Sequence, residues 1–242
     1  MSGGVDSSVA ALCLRDAGYD VAGVTMRLKP RHMLNDAQAA AVEKEIADAA
    51  AVCAKLGIEH FAPDFSAAFE ENVIGAFVSA YKNGETPNPC FRCNQTIKFG
   101  VMLDWALAHG FDKIATGHYA EIVEEGGRTK LKRSPDQKDQ SYFLSGLTPA
   151  QLSRTLLPLN RMGKAETRAL AQQHGLPVAQ KFFGADPFVR QQKPHAAAVF
   201  QGFSHGRKVF APIVVRGAPA VHKFCRYVAL RAVEHPFFGP AC

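Results

Sequence analysis

The stretch Ser2-Gly3-Gly4-Val5-Asp6-Ser7-Ser8 runs with no spacer into an amphipathic helix, and few folds accommodate such a junction. Two adjacent glycines let the backbone approach an oxyanion closely. The following helix points its first N–H groups and a partial positive charge back at the turn. Ser2, Ser7 and Ser8 can add hydroxyl donors, and Asp6 is a candidate magnesium ligand. No lysine follows in the GxxxxGK[ST] arrangement, so this is a different kind of phosphate turn. The plain alternative is a Gly-rich turn with a serine cap. In a doubly wound sheet a hydrophobic strand normally leads into such a turn. Here the turn begins at residue 2, so that strand is missing from the chain. Its slot is expected to lie open or to be filled by another segment.

Hydrophobic periodicity extends the pattern. Helical spacing is predicted over residues 7–17, 36–56, 66–81, 97–109, 148–156 and 164–174, and strands over 20–28, 59–63 and 113–116. Residues 83–94, rich in Gly, Pro and Asn, read as a loop around Cys90 and Cys93. Residues 121–133 read as a hairpin turning at Gly126-Gly127. The alternation of helices and strands up to residue 120 predicts an α/β fold, a doubly wound parallel sheet with helices on both faces.

Six cysteines in 242 residues are too few for a disulfide scaffold, and Cys90 and Cys93 form the one CxxC. Such a pair in a reducing compartment points to redox, metal or sulfur chemistry. Zinc normally needs four ligands, and no second CxxC or His pair of suitable spacing accompanies this one. No run approaches the roughly 18 apolar residues that span a bilayer, and a cytoplasmic address without a membrane partner is the expectation.

The string SGGVDSS is the signature of the ATP pyrophosphatases. Further motifs follow in order: Gly23-Val24-Thr25-Met26, then Thr86-Pro87-Asn88-Pro89-Cys90-Phe91-Arg92-Cys93-Asn94, then Ala115-Thr116-Gly117-His118-Tyr119-Ala120. Lys138-Asp139-Gln140-Ser141-Tyr142-Phe143-Leu144 and Lys164-Ala165-Glu166-Thr167-Arg168 complete the set. Over residues 1–181 this ordered set resembles the tRNA-specific 2-thiouridylases, a family of the ATP-pyrophosphatase (adenine nucleotide alpha hydrolase-like) fold. The resemblance implies ATP-dependent 2-thiolation of a wobble uridine, with adenylation of the C2 oxygen before sulfur transfer from a cysteine persulfide. It implies that Ser2, Gly3, Gly4, Val5, Asp6 and Ser7 bind ATP together with Met26 and Gly117. It makes Cys93 the catalytic cysteine and sets Asn88, Pro89 and Cys90 at the target base; Cys90 is separately a candidate partner thiol. His118 and Lys138, Asp139 and Gln140 match positions that touch tRNA. The implied partners are tRNA and a persulfide-donating sulfur carrier or cysteine desulfurase. The CxxC could also cycle through a disulfide, or ligate an iron–sulfur cluster with a third thiolate.

The chemistry itself asks for such residues. A carbonyl oxygen leaves poorly until adenylation converts it into AMP. The sulfur that displaces it must come as a thiolate or persulfide, so a cysteine of lowered pKa should stand near the base. Arg92 and Lys98 are expected to favour the Cys93 thiolate. Rival readings are another ATP-pyrophosphatase ligase and a non-catalytic ATP- or RNA-binding remnant.

After Lys181 the match ends. Residues 182–242 carry eight Lys and Arg against two acids, with nine Phe and Tyr227. That composition suits a polyanion or a stacking surface for single-stranded nucleic acid, yet no helical or strand period is sustained. The division expected is a catalytic domain over 1–181 and an irregular basic tail over 182–242, whose abrupt change of composition suggests translation in a shifted frame. The family's second catalytic cysteine, just past position 181, has no counterpart here: the chain reads Phe182-Phe183-Gly184, and Cys225 and Cys242 stand in other contexts. Nucleotide binding with weak thiolation is therefore expected.

Overall fold

A computed structural model describes Met1 and residues 4–135, 138–178 and 212–217. Helix α1 (Val5–Asp16) leads to strand β1 (Asp20–Val24), and α2 (Asp36–Leu56) to β2 (Glu59–Phe61). The start of α2 is fixed by a capping box in which Asn35 accepts from the Gln38 N–H and the Gln38 side chain accepts from the Asn35 N–H. Next, α3 (Ser66–Phe69) passes through a π-helical stretch (Glu70–Gly75) into α4 (Ala76–Lys82). Similarly α5 (Pro89–Cys93) passes through a second π-helical stretch (Asn94–Val101) into α6 (Met102–Ala108). Strand β3 (Lys113–Ala115) precedes the hairpin β4 (Ala120–Glu125) and β5 (Arg128–Arg133). Its turn is the predicted Gly126-Gly127, both at positive φ as a two-residue hairpin requires. Then come α7 (Pro149–Ser153), β6 (Thr155–Leu156), α8 (Lys164–Gln173) and β7 (Ile213–Arg216).

The main sheet has the order β2-β1-β7-β3-β6. β1 pairs parallel with β2, and β3 parallel with β6. β7 lies between β1 and β3, antiparallel to both. The sheet is therefore mixed, which corrects the all-parallel expectation. β7 takes the place between β1 and β3 and runs against both, which makes the sheet mixed. Ile213, Val214 and Val215 fill that place, three β-branched residues suited to a pleated surface. Asp112 adds a backbone bond to the Val215 carbonyl, and its carboxylate accepts from the Gly217 N–H. The tail expected to be irregular thus contributes a central strand to the domain that precedes it.

Both faces of the sheet are covered, as the doubly wound reading requires. Alternate residues feed two cores. Ala22, Val24, Ile114 and Val214 pack with Phe69, Ile97, Phe99 and Met102 on one side. Val21, Ala115, Ile213 and Val215 pack with Val9, Leu12, Val52 and Leu159 on the other. Among the described residues no helix is long and apolar enough to cross a membrane.

The CxxC region departs from the predicted loop. Asn88 caps α5, its side chain accepting from the Phe91 N–H at 3.2 Å, and Pro89 occupies the first turn. Proline there loses no helical bond, since the first N–H groups have no partner within the helix. Cys90 and Cys93 accordingly sit three residues apart on a helical turn.

Candidate active site

The site gathers where β1 and β3 end, the edge at which open α/β sheets bind ligands. Gly4 is the N-cap of α1 in extended backbone, and no side chain caps it. The Ser7 and Ser8 hydroxyls both donate to the Gly4 carbonyl, at 3.1 and 2.8 Å. They therefore brace the turn from inside. Val5 and Asp6 open the helix, while Ser2 and Gly3 lie outside the described residues.

Asp6 is nearly buried, and both its carboxylate oxygens accept from the Lys164 ammonium at 2.5 Å. The Tyr119 hydroxyl donates to the same carboxylate at 3.1 Å and meets the Thr167 hydroxyl at 3.2 Å. A carboxylate so engaged does not fit the magnesium role expected for Asp6. Among the described residues no cluster of three or more His, Cys, Asp or Glu is arranged to hold a metal ion. Lys164 escaped the sequence reading as a site residue. Its motif was legible, but its partner is 158 positions away.

The loop after β3 joins this turn to the cysteine helix. Gly117 lies against Asp6: a Cβ there would stand 3.0–3.1 Å from the Asp6 backbone and Cβ. Tyr119 reaches Asp6 from the same loop. His118 points the other way, its Nδ1 2.7 Å from the Thr116 hydroxyl and its ring 6.3 Å from that of Phe99. Gln140 fixes the loop by exchanging two hydrogen bonds with the Tyr119 backbone, at 2.8 and 3.1 Å.

Around Cys93 the surroundings are closed. Cys93, Asn94 and Lys98 are all buried. The Lys98 ammonium donates to the Asn94 amide oxygen at 2.8 Å, and the Asn94 amide nitrogen donates to the Phe143 carbonyl at 3.1 Å. Burial pushes the Cys93 thiol up, Lys98 pulls it down and Cys90 pushes it up. Lys98 thus acts in the expected direction against a larger effect of burial. Arg92 does not take part as expected, since its Nε donates to the Asn72 carbonyl at 3.2 Å on the outer side. Cys90 is exposed, and both cysteines are thiols rather than a disulfide. Cys13 and Cys53 pack with the other core, Cys53 within it and Cys13 at its margin, so among the described residues no third thiolate joins the pair for an iron–sulfur cluster. Cys225 and Cys242 lie outside the described residues.

The remaining expected contacts divide. Met26, at the end of β1, shares a core with Cys93. Asn88 is exposed, Pro89 is half-buried and Lys138 is exposed, all consistent with a surface role. Asp139 shapes its own loop by accepting from the N–H groups of Ser134 and Ser141. His118, expected to touch tRNA, is 1% exposed and held well below the usual imidazole range by burial and by Lys98. It lines the buried cluster instead of the surface.

Comparison with known sequences follows this geometry. The family model described as the tRNA methyl transferase HUP domain matches residues 1–184. A protein of Acidithiobacillus ferrooxidans named tRNA-specific 2-thiouridylase MnmA is 48% identical over 182 residues, covering 75% of this chain and 50% of its own length. The protein of that name from Treponema denticola is 50% identical over 190 residues, with the same coverage. That from Mycobacteroides abscessus is 47% identical over 184 residues, covering 75% of this chain and 51% of its own length. The chain thus spans about half the length of the curated relatives it matches.

Proposed function

The chain belongs to the family described as the tRNA methyl transferase HUP domain, and on that premise we propose that it activates a wobble uridine of tRNA with ATP for replacement of the C2 oxygen by sulfur. One observation carries this reading: a single loop, Thr116–Tyr119, touches the Asp6 turn on one side and the Lys98–Cys93 helix on the other. The start of α1 and the π-helical stretch that follows Cys93 thereby border one loop. Methyl transfer, the wording of the family description, would give neither the phosphate turn nor the thiol a task.

In the reaction proposed, the uridine O2 attacks the α-phosphorus of ATP and pyrophosphate leaves. The first-turn amides of α1 supply positive potential for the phosphates, and the Lys164 ammonium, paired with Asp6, braces that turn. A persulfide delivered by a sulfur carrier or cysteine desulfurase then attacks C2 through its terminal sulfur, and AMP departs with the oxygen. The Cys93 thiolate attacks the inner sulfur of the adduct, which breaks the S–S bond, releases 2-thiouridine and leaves a disulfide between Cys93 and the donor thiol. The exposed Cys90, one turn away, exchanges into that disulfide and frees the donor, and an external dithiol reduces the resulting Cys90–Cys93 pair. Asn88, Pro89 and Lys138, on the outer surface, would meet the RNA in the cytoplasm.

The test is ATP–pyrophosphate exchange with and without tRNA. Exchange that requires tRNA and persists in Cys93→Ser, while the weak 2-thiouridine formation expected of the wild-type chain is lost in that variant, supports the reading. Exchange that ignores tRNA sinks it and favours another ATP-dependent ligase.

A further inference from the structure

Lys98 enters no bond-making step of the proposed reaction. A lysine this deeply buried is costly, because removing an ammonium from water costs several kcal/mol unless other groups replace its solvation. Its position is also unusual. Cys93 and Lys98 are five residues apart, and on an α-helix of 3.6 residues per turn such a pair points about 140° apart. Between them the chain is not α-helical. Asn94–Val101 is π-helical, with the Met102 N–H bonding to the Ile97 carbonyl five residues back. A wider turn carries residue i+5 round toward the face of residue i. The bulge therefore brings the lysine back to the side of the cysteine.

Lys98 is also held there. Asn94 accepts from its ammonium, and the far end of the same amide is anchored on the Phe143 carbonyl. The side chain is fixed by a strut that spans two elements. We propose that Lys98 is a positioning residue for Cys93: the π-helical widening and the Asn94 strut hold its ammonium where it stabilises the Cys93 thiolate within the buried cluster around it. The proposal rests on the reading of Cys93 as the reacting thiol.

The groups facing the pair agree with this. Among the described residues, the titratable and charged groups on the elements packed around Cys93 are Cys90 and Arg92 on α5, Lys98, His118, Tyr142, Glu70 and Glu71 on the neighbouring π-helical stretch, and Asp104 on α6; Arg92 is turned outward to the Asn72 carbonyl. Of these, Lys98 and Cys90 act on the Cys93 thiol, and only Lys98 favours its ionisation. The two thiols in turn raise the Lys98 ammonium against its burial. His118 is held neutral beside Lys98 and adds no competing positive charge. Glu70 pairs with His32 at 3.3 Å instead.

The experiment is the pH profile of Cys93 alkylation by iodoacetamide in the full chain, read by mass spectrometry of the Cys93 peptide between about pH 6 and pH 10. Limited access slows every point equally and leaves the inflection in place. Lys98→Met is expected to move the inflection upward by about one unit or more, which at neutral pH is roughly a tenfold loss of rate. Asn94→Ala, which removes the strut and keeps the charge, is expected to move it the same way by less. Should Lys98→Met fail to fold, the Asn94→Ala profile decides alone. A profile superimposable on wild type, in Lys98→Met or in a folded Asn94→Ala when that is the only readable variant, overturns the proposal. Its failure is separable from that of the proposed reaction. A shifted profile with Cys93→Ser still forming 2-thiouridine would retain Lys98 as the thiol's partner and dismiss the thiol's catalytic role.

Discussion

Strand β7 offers the sharpest test of how this chain completes its sheet. Val214 is fully buried and pairs with Ala22 on one side and Ile114 on the other. Val214→Ala removes two methyl groups, at about 0.8 kcal/mol each for lost burial. The cavity left in a close-packed core raises the total to about 2–3 kcal/mol. With a urea dependence of about 2 kcal/mol per molar, the unfolding midpoint should fall by about 1 M or slightly more. Val214→Asp adds an unpaired buried carboxylate costing several further kcal/mol, enough to exhaust a domain stability of about 5–15 kcal/mol. The assay is urea denaturation followed by circular dichroism, with hydrogen exchange of the 213–215 amides alongside. Those amides should exchange as slowly as those of β1, because they sit in the middle of the sheet. A midpoint for Val214→Ala within about 0.2 M of wild type, together with fast exchange at 213–215, would refute the strand's place and leave the slot between β1 and β3 unexplained.

Three further expectations concern the site. Lys164→Met leaves the Asp6 carboxylate buried with its cation gone and should cost about 2–4 kcal/mol; adding Asp6→Asn should restore part of that, with a coupling of about 1 kcal/mol or more in the double-mutant cycle. Gly117→Ala pushes a methyl group against the Asp6 backbone, which cannot yield as a flexible side chain would; ATP affinity by calorimetry should drop about tenfold or more, because the loop and the α1 turn must separate. Stability should also fall in acid. His118 stays neutral in the fold, held well below the ordinary value of 6.5, while in the unfolded chain it protonates near that value. The unfolded state then binds more protons, so stability is complete above about pH 6.5 and is lost as pH falls below it, with a slope of up to about 1.4 kcal/mol per unit from this residue. Urea midpoints across pH 5 to 8 should show this slope in wild type and a flatter one in His118→Asn.

Local signals made much of this architecture readable. Helical periodicity over residues 36–56 matched α2 to the residue, and the Gly126-Gly127 pair matched the hairpin turn. The CxxC segment misled because Pro87 and Pro89 read as breakers, although Asn-Pro is equally a helix start. The π-helical stretches left no mark in the sequence. β7 was beyond reach for another reason. A four-residue apolar run says nothing about which vacant edge it will occupy, and its partners lie some 100 and 190 positions away. The same distance hid the Lys164–Asp6 pair. His118 turns inward beside Phe99 and Lys98, residues about 20 positions earlier that only the fold brings there.

The most direct test is a crystal structure of the chain with a non-hydrolysable ATP analogue. The expected result is phosphate density at the first turn of α1, beside Gly4 and within reach of Lys164, with the nucleotide lying along the Gly117 loop toward α5. Density for the analogue at any other place, or a clear map with that turn empty at saturating analogue, would contradict the assignment of the turn as the nucleotide site and with it the adenylation chemistry built on it.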